Sequence, residues 1–207
     1  MKRLTWLVLA LSSVSLAQEA STEKKAREPL EDIERGFFFS GRGGLFAIVN
    51  PPGTGSSFSM GQAAGVELGV DIGERLELSA FFLGSSNRMS SSYQGLSPEG
   101  SVVSGDFGAF TPGAALKVRI VGFDEAQEVR RTWIYARAGA GVSFFTPPQL
   151  LTQLGLLATG GLGLEYYTQL RHLVIGVEAD FNLHLFFGSA VGPSFGFAVY
   201  PTVKYAF

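Results

Sequence analysis

The 207-residue sequence has no cysteine and only two histidines and two tryptophans, and 16% of its residues are charged. Without cysteine it can form no disulfide, thiolate metal site, cysteine nucleophile or lipoprotein anchor. The formal charge is −2, so the basic surplus expected of a nucleic-acid binder is missing. After the N-terminal stretch no apolar run is long enough to cross a bilayer as a helix, because Gly or a charge interrupts each candidate. What is plentiful is glycine, at 27 residues, and phenylalanine, at 18. Such a chain is too apolar and aromatic for disorder, which needs high charge and few aromatics.

Residues 1–17 have the three parts of an export signal. Lys2 and Arg3 are followed by an apolar centre, Leu4–Leu11, and then the small-x-small exit Ser15-Leu16-Ala17. The expectation is cleavage after Ala17. A charged segment follows at 18–35, with six acidic and four basic residues and no apolar stripe. It reads as a solvated periplasmic arm, interrupted at Pro29.

From Gly36 the dominant period is two, which is the mark of strands with unlike faces. At the C-terminus Phe195, Phe197, Val199, Pro201, Val203, Tyr205 and Phe207 share one face. Ser194, Gly196, Ala198, Tyr200, Thr202, Lys204 and Ala206 share the other. The same split runs through Leu173–Phe187. The spacing predicts strands at 36–49, 60–73, 75–86, 105–121, 132–145, 154–167, 172–187 and 194–207. Connections between them alternate short and long, although 122–131 is long where a short one is expected. Eight strands with this alternation predict an all-β fold, an antiparallel up-and-down transmembrane β-barrel over 36–207, set in the bacterial outer membrane. A secreted sandwich also alternates, but its polar face is usually rich in charge. Here the polar faces are mostly Gly and small residues.

Strand parity sends Arg42, Lys117, Arg119, Arg137 and Lys204 to the same side as Glu67, Glu77, Glu165, Glu178 and Asp180. That is five cations against five carboxylates. An Arg or Lys facing lipid at mid-bilayer costs ~2–4 kcal/mol, so these charges are expected inside the barrel. An eight-stranded interior is only wide enough for side chains, so the network is expected to plug the lumen. A conduction path for small solutes is the alternative. Phe37, Phe39, Tyr166, Tyr205 and Phe207 are expected outside at one rim, and Phe144, Phe187 and Phe195 at the other.

Little catalytic chemistry is on offer. His184 shares the inward face with Asn182 and Asp180, so a Ser-His-acid lipid hydrolase is conceivable, but spacing nominates no serine. His172 adjoins a turn. Gly41-x-Gly43-Gly44 has no following helix and is not a phosphate loop. No EF-hand spacing occurs, and two separated histidines make no metal site. The expectation is a non-enzyme without cofactors or metals, acting as a structural or interaction component of the envelope. The serine-rich stretch 87–104 and the Pro-Pro-Gly at 51–53 read as solvated connectors.

At the level of architecture, strand count, parity and the aromatic-x-aromatic end Tyr205-Ala206-Phe207 resemble small outer-membrane barrels of the OmpA- and OmpW-like type. That resemblance implies a monomeric barrel whose terminal strand is read by the outer-membrane assembly machinery, with membrane lipids as its other contact. The stretches GFFFSGRGG (36–44), SGDFGAFTPGA (104–114), RTWIYARAGAG (131–141) and EYYTQLRH (165–172) are similar to outer-membrane proteins of myxobacterial adventurous gliding motility. This likeness implies partners among envelope or motility proteins and carries over no catalytic residue.

Overall fold

The computed structural model describes residues 33–49, 58–88, 95–96, 102–103, 107–124, 129–146, 154–186 and 193–207. The export signal, residues 18–32 of the charged segment, the Pro-Pro-Gly turn and Phe187 lie outside the described residues.

Among the described residues there are ten strands: β1 (Phe37–Val49), β2 (Phe58–Ile72), β3 (Leu76–Arg88), β4 (Gly95–Leu96), β5 (Val102–Val103), β6 (Phe107–Asp124), β7 (Arg130–Thr146), β8 (Leu154–Tyr167), β9 (Leu173–Phe186) and β10 (Ser194–Ala206). Eight of them close an antiparallel barrel in the order β1-β2-β3-β6-β7-β8-β9-β10, with β10 returning to β1. The short β4 and β5 pair only with each other. They form a hairpin inside the 87–104 connection, which sequence composition alone presents as structureless. Among the described residues no helix is long and apolar enough to cross a membrane; the architecture is built from strands.

Barrel geometry follows from the pairing. A line of partners leaving β1 at Phe38 passes through Gly69, Ser79, Ala115, Gly139, Thr159, Asn182 and Gly196. It returns to β1 at Ile48, a stagger of ten residues. Strands in such a cylinder tilt by roughly 40°. At 13 to 18 residues they exceed the ~9–11 needed to cross hydrocarbon, so their ends project beyond it.

The tight turns 73–75 and 168–172 lie at the end where the C-terminus meets Phe37, here called the near end. Residues 33–35 also sit there. Ile33 packs on Trp133, Tyr167 and Val174, and the Arg35 guanidinium donates to the Glu74 carbonyl at 2.9 Å. That much of the charged segment is docked rather than solvated, because Ile33 finds an apolar seat. The connection expected at 122–131 is shorter than it looks. β6 runs on to Asp124 and β7 begins at Arg130, with register shifts after Arg119 and Phe123 that lengthen the hairpin.

Two prolines sit within barrel strands and mark gaps in the ladders. Pairing of β1 with β10 is interrupted between Arg42–Thr202 and Leu45–Val199, the span that includes Pro201. Pairing of β6 with β7 is interrupted between Phe110–Phe144 and Gly113–Gly141, the span that includes Pro112. Proline has no N–H to give, so each gap is expected chemically. At the second gap, the Thr111 and Ser143 hydroxyls bond to each other at 2.8 Å across the break.

Rings from one strand fill spaces left by inward glycines on others. A Cβ added to Gly163 would lie 2.3 Å from the Tyr135 ring, one at Gly113 2.4 Å from Phe81, and one at Gly69 2.5 Å from Phe38. The abundance of glycine is therefore partly a packing device: the interior is narrow, and large rings fit only where the facing residue has no side chain.

Candidate functional site

The lumen contains the only concentration of buried ionic chemistry among the described residues, and it is built in tiers. In the near-end tier, Lys204 Nζ donates to both Asp71 oxygens at 2.8 and 3.0 Å and to Glu77 Oε2 at 2.7 Å. Arg119 Nη2 donates to Asp71 Oδ1 at 2.8 Å and Glu77 Oε2 at 3.1 Å, while its Nε donates to Glu165. Lys117 Nζ lies 3.0 Å from Glu77 Oε1 and 3.7 Å from Glu165 Oε2. Three cations meet three carboxylates, and Glu77 touches all three cations.

Aromatic faces support this tier. The Lys204 ammonium sits 4.1 Å from the centre of the Phe38 ring, and the Arg119 guanidinium 5.6 Å from that of Tyr167. Lys117, 4.4 Å from the Tyr135 ring centre, connects to the next tier.

In the middle tier, Arg42 Nη1 donates to Glu178 Oε1 at 2.8 Å and lies 3.7 Å from Asp180 Oδ2. Arg137 reaches Glu67 at 3.5 Å, Asp180 at 3.7 Å and Glu178 at 3.8 Å. The Tyr135 hydroxyl donates to Glu178 Oε2 at 2.9 Å, and Ser79 donates to Glu67. Phe81 lies between the two guanidinium groups, 5.4 Å from Arg42 and 5.1 Å from Arg137. Several buried polar atoms around this tier, including Thr159 Oγ1, Asn182 Nδ2 and the Tyr200 hydroxyl, have no hydrogen-bond partner in the protein.

All eleven interior residues named from sequence are thus on the lumen side, ten in the ionic tiers and His184 farther along. The charge count needs amending. Asp71, buried on β2, belongs to the near-end tier, giving six carboxylates. Arg131 is a sixth buried cation, donating to the Tyr167 and Thr168 carbonyls at 3.4 and 2.8 Å. Parity could have found Asp71, which stands four residues beyond Glu67 on one strand. No sequence signal shows that Tyr135 on β7 reaches the Glu178 carboxylate on β9; Tyr167 bonds Glu165 on its own strand.

Beyond the middle tier the lumen changes character. Phe46, Ile48, Leu83, Phe107, Leu157 and Phe145 form an apolar cluster toward the far end. This differs from an interior of small and ionic residues throughout: the inward face carries bulky apolar groups where no cation is present to pair. Among them Ser143 Oγ lies 3.4 Å from His184 Nδ1, and the His184 ring meets Phe145 edge-on at 5.9 Å. The serine that spacing could not nominate beside His184 is Ser143, which is wholly buried. The cavity enclosed here is about 10 Å³, room for about one water molecule. Among the described residues no group of three or more His, Asp or Glu is arranged to hold a metal.

The outer surface is the converse. Leu68, Leu78, Leu116, Leu162, Ile175, Val177, Phe181, Phe197 and Val199 are all more than a third exposed. At the near end Phe37, Phe39, Tyr205 and Phe207 point outward, and Phe144 does so at the far end. His172 stacks on Tyr205 at 5.2 Å and its Nδ1 lies 2.9 Å from the Ala206 carbonyl oxygen, which pins the terminal strand.

The barrel has known counterparts in solved structures. One is Neisserial surface protein A, at a TM-score of 0.59 and 12% identity, covering 83% of this chain and 97% of that one. Another is the outer membrane protein OprG from Pseudomonas aeruginosa, at a TM-score of 0.50 and 10% identity, covering 86% and 99%. These likenesses show the fold. No family model matches the sequence, and no curated protein matches it either.

Proposed function

We propose that this chain is an integral protein of the bacterial outer membrane, with the near end in the periplasm, that works as a closed structural or interaction component rather than as an enzyme. The observation that carries this reading is the inversion of the usual protein pattern. Apolar side chains cover the outside, while buried ion pairs and packed rings fill the inside. Such a surface is stable only against hydrocarbon, and similarity to barrels named for a cell surface and an outer membrane supports the same placement. The packed ion pairs and rings of the two tiers, with a cavity of only about 10 Å³ in the apolar half, favour a plugged lumen over a route for solutes. Function then falls to the connections at the far end and to the charged segment at the near end, which meet partners on opposite sides of the membrane.

The test is ion conductance after purification and insertion of the mature chain into a planar bilayer. The closed reading expects no steady current, with heat-dependent gel mobility showing that the barrel is folded. A persistent open pore from folded protein would replace this reading with passive conduction. Membership of a gliding-motility assembly is a narrower proposal that rests on the four sequence stretches alone. Unchanged single-cell gliding after deletion of the gene would remove it.

A further inference from the structure

The lipid-facing wall has a depression among the described residues. Gly43, Leu45, Gln62, Ala64, Gly84, Ser86 and Phe110 line an exterior groove of about 650 Å³ across β1, β2, β3 and β6. Its floor is low because Gly43, Ala64 and Gly84 are partners on adjacent strands. Leu45 and Phe110, both about half exposed or more, form its sides. The groove is not uniform along its length. Going toward the far end, the outward residues of β3 are Gly84, Ser86 and then Arg88, the last residue of the strand. Gln62 stands beside Ser86 on β2. Arg88 is exposed and makes no ion pair among the described residues, unlike the cations of the lumen.

An apolar trough that ends in two hydrogen-bonding side chains and a guanidinium with no ion pair among the described residues fits one kind of occupant. We propose that this groove holds a phosphorylated lipid of the outer leaflet, with an acyl chain along Gly43, Ala64 and Gly84 and the phosphate on Arg88. Hydrocarbon in the trough avoids an unfilled gap in the wall, and guanidinium–phosphate geometry permits two parallel hydrogen bonds. Gln62 and Ser86, which would otherwise point polar groups toward acyl chains, meet the polar part of the lipid. The proposal rests on the outer-membrane reading, because it needs the far end in the outer leaflet.

The experiment uses the full mature chain in phosphatidylcholine vesicles containing either lipid A or lipid A stripped of its phosphates. Lipid retained after gentle extraction is counted by native mass spectrometry. Wild type is expected to retain phosphorylated lipid A over the stripped form by about fivefold, the scale of one basic side chain near an anionic surface. Arg88→Gln should abolish that preference but keep some acyl-dependent retention. Gly84→Leu should lose both; the Cβ it adds meets nothing nearer than 3.7 Å. Equal retention of the two lipids by wild type, or undiminished retention by Gly84→Leu, would overturn the proposal. Heat-dependent mobility and vesicle insertion of each variant are scored separately, so failure of the membrane reading would be seen as failure to insert, not as lost lipid.

Discussion

Glu77 is the side chain on which the near-end tier depends, and replacing it isolates what buried charge contributes to this barrel. The carboxylate is 1% exposed and contacts Lys117, Arg119 and Lys204. Glu77→Gln keeps the shape and removes the charge, leaving three cations against Asp71 and Glu165. Breaking a buried ion pair by removing one partner costs ~3–5 kcal/mol, mostly the penalty of the charge left behind. Here the expectation lies near the lower end, about 3 kcal/mol, because each stranded cation keeps another anion. Lys204 retains Asp71 at 2.8 Å, Arg119 retains Asp71 at 2.8 Å together with Glu165, and Lys117 retains Glu165 at 3.7 Å. Adding Lys204→Met restores two against two, so the double variant should lose less than the sum of the singles, with a coupling of ~1–3 kcal/mol. The assay is reversible urea unfolding in detergent or vesicles, followed by the fluorescence of buried Trp133 and by gel mobility. A cost below ~0.5 kcal/mol for Glu77→Gln, with additive singles, would mean that water solvates these charges and that the tier is no plug.

Two more predictions use the same unfolding assay. Gly163→Val drives a side chain into the Tyr135 ring, 2.3 Å from the added Cβ, and should cost ~1–3 kcal/mol by overpacking and by dislodging the Tyr135 bond to Glu178; Gly84→Ala, on the open exterior, should stay within ~0.5 kcal/mol. Leu116→Arg places a cation on the outer face and should cost ~2–4 kcal/mol in a bilayer, whereas Leu170→Arg in the exposed near-end turn should be close to neutral; equal effects would contradict the lipid-facing assignment of the wall.

How much of this was legible beforehand depends on the kind of information involved. Inside and outside alternate with a period of two, so a single anchored residue such as Arg42 fixes the side on which every other residue of its strand lies. That is why ten mid-strand charges could be placed on one face from sequence. Asp71, inside the strand expected at 60–73 and on the same parity as Glu67, was legible by the same rule. Pairing among the charges was not legible. Which carboxylate meets which cation depends on the ten-residue stagger, and stagger is a property of the closed cylinder. The same holds for Ser143 beside His184, 41 residues apart and joined only by the way β7 and β9 curve toward each other. The apolar far half of the lumen was missed for a different reason. Phe46, Phe107 and Phe145 look like lipid-facing residues by type, and their inward position follows only from counting outward from a charge.

The matching of rings to glycines bears on how the cylinder is assembled. Parity protects against a slip of one residue, since that would turn ions toward lipid. It offers no protection against a slip of two, which leaves every residue on its proper side. Phe38 over Gly69, Phe81 over Gly113 and Tyr135 over Gly163 supply the missing safeguard: a two-residue error sets Phe38 against Glu67 or Asp71 and Phe81 against Thr111 or Ala115, and in one of the two directions it sets Tyr135 against Glu165. The lumen thus works as a lock whose wards check alignment strand by strand, and a misthreaded wall would jam before it could close.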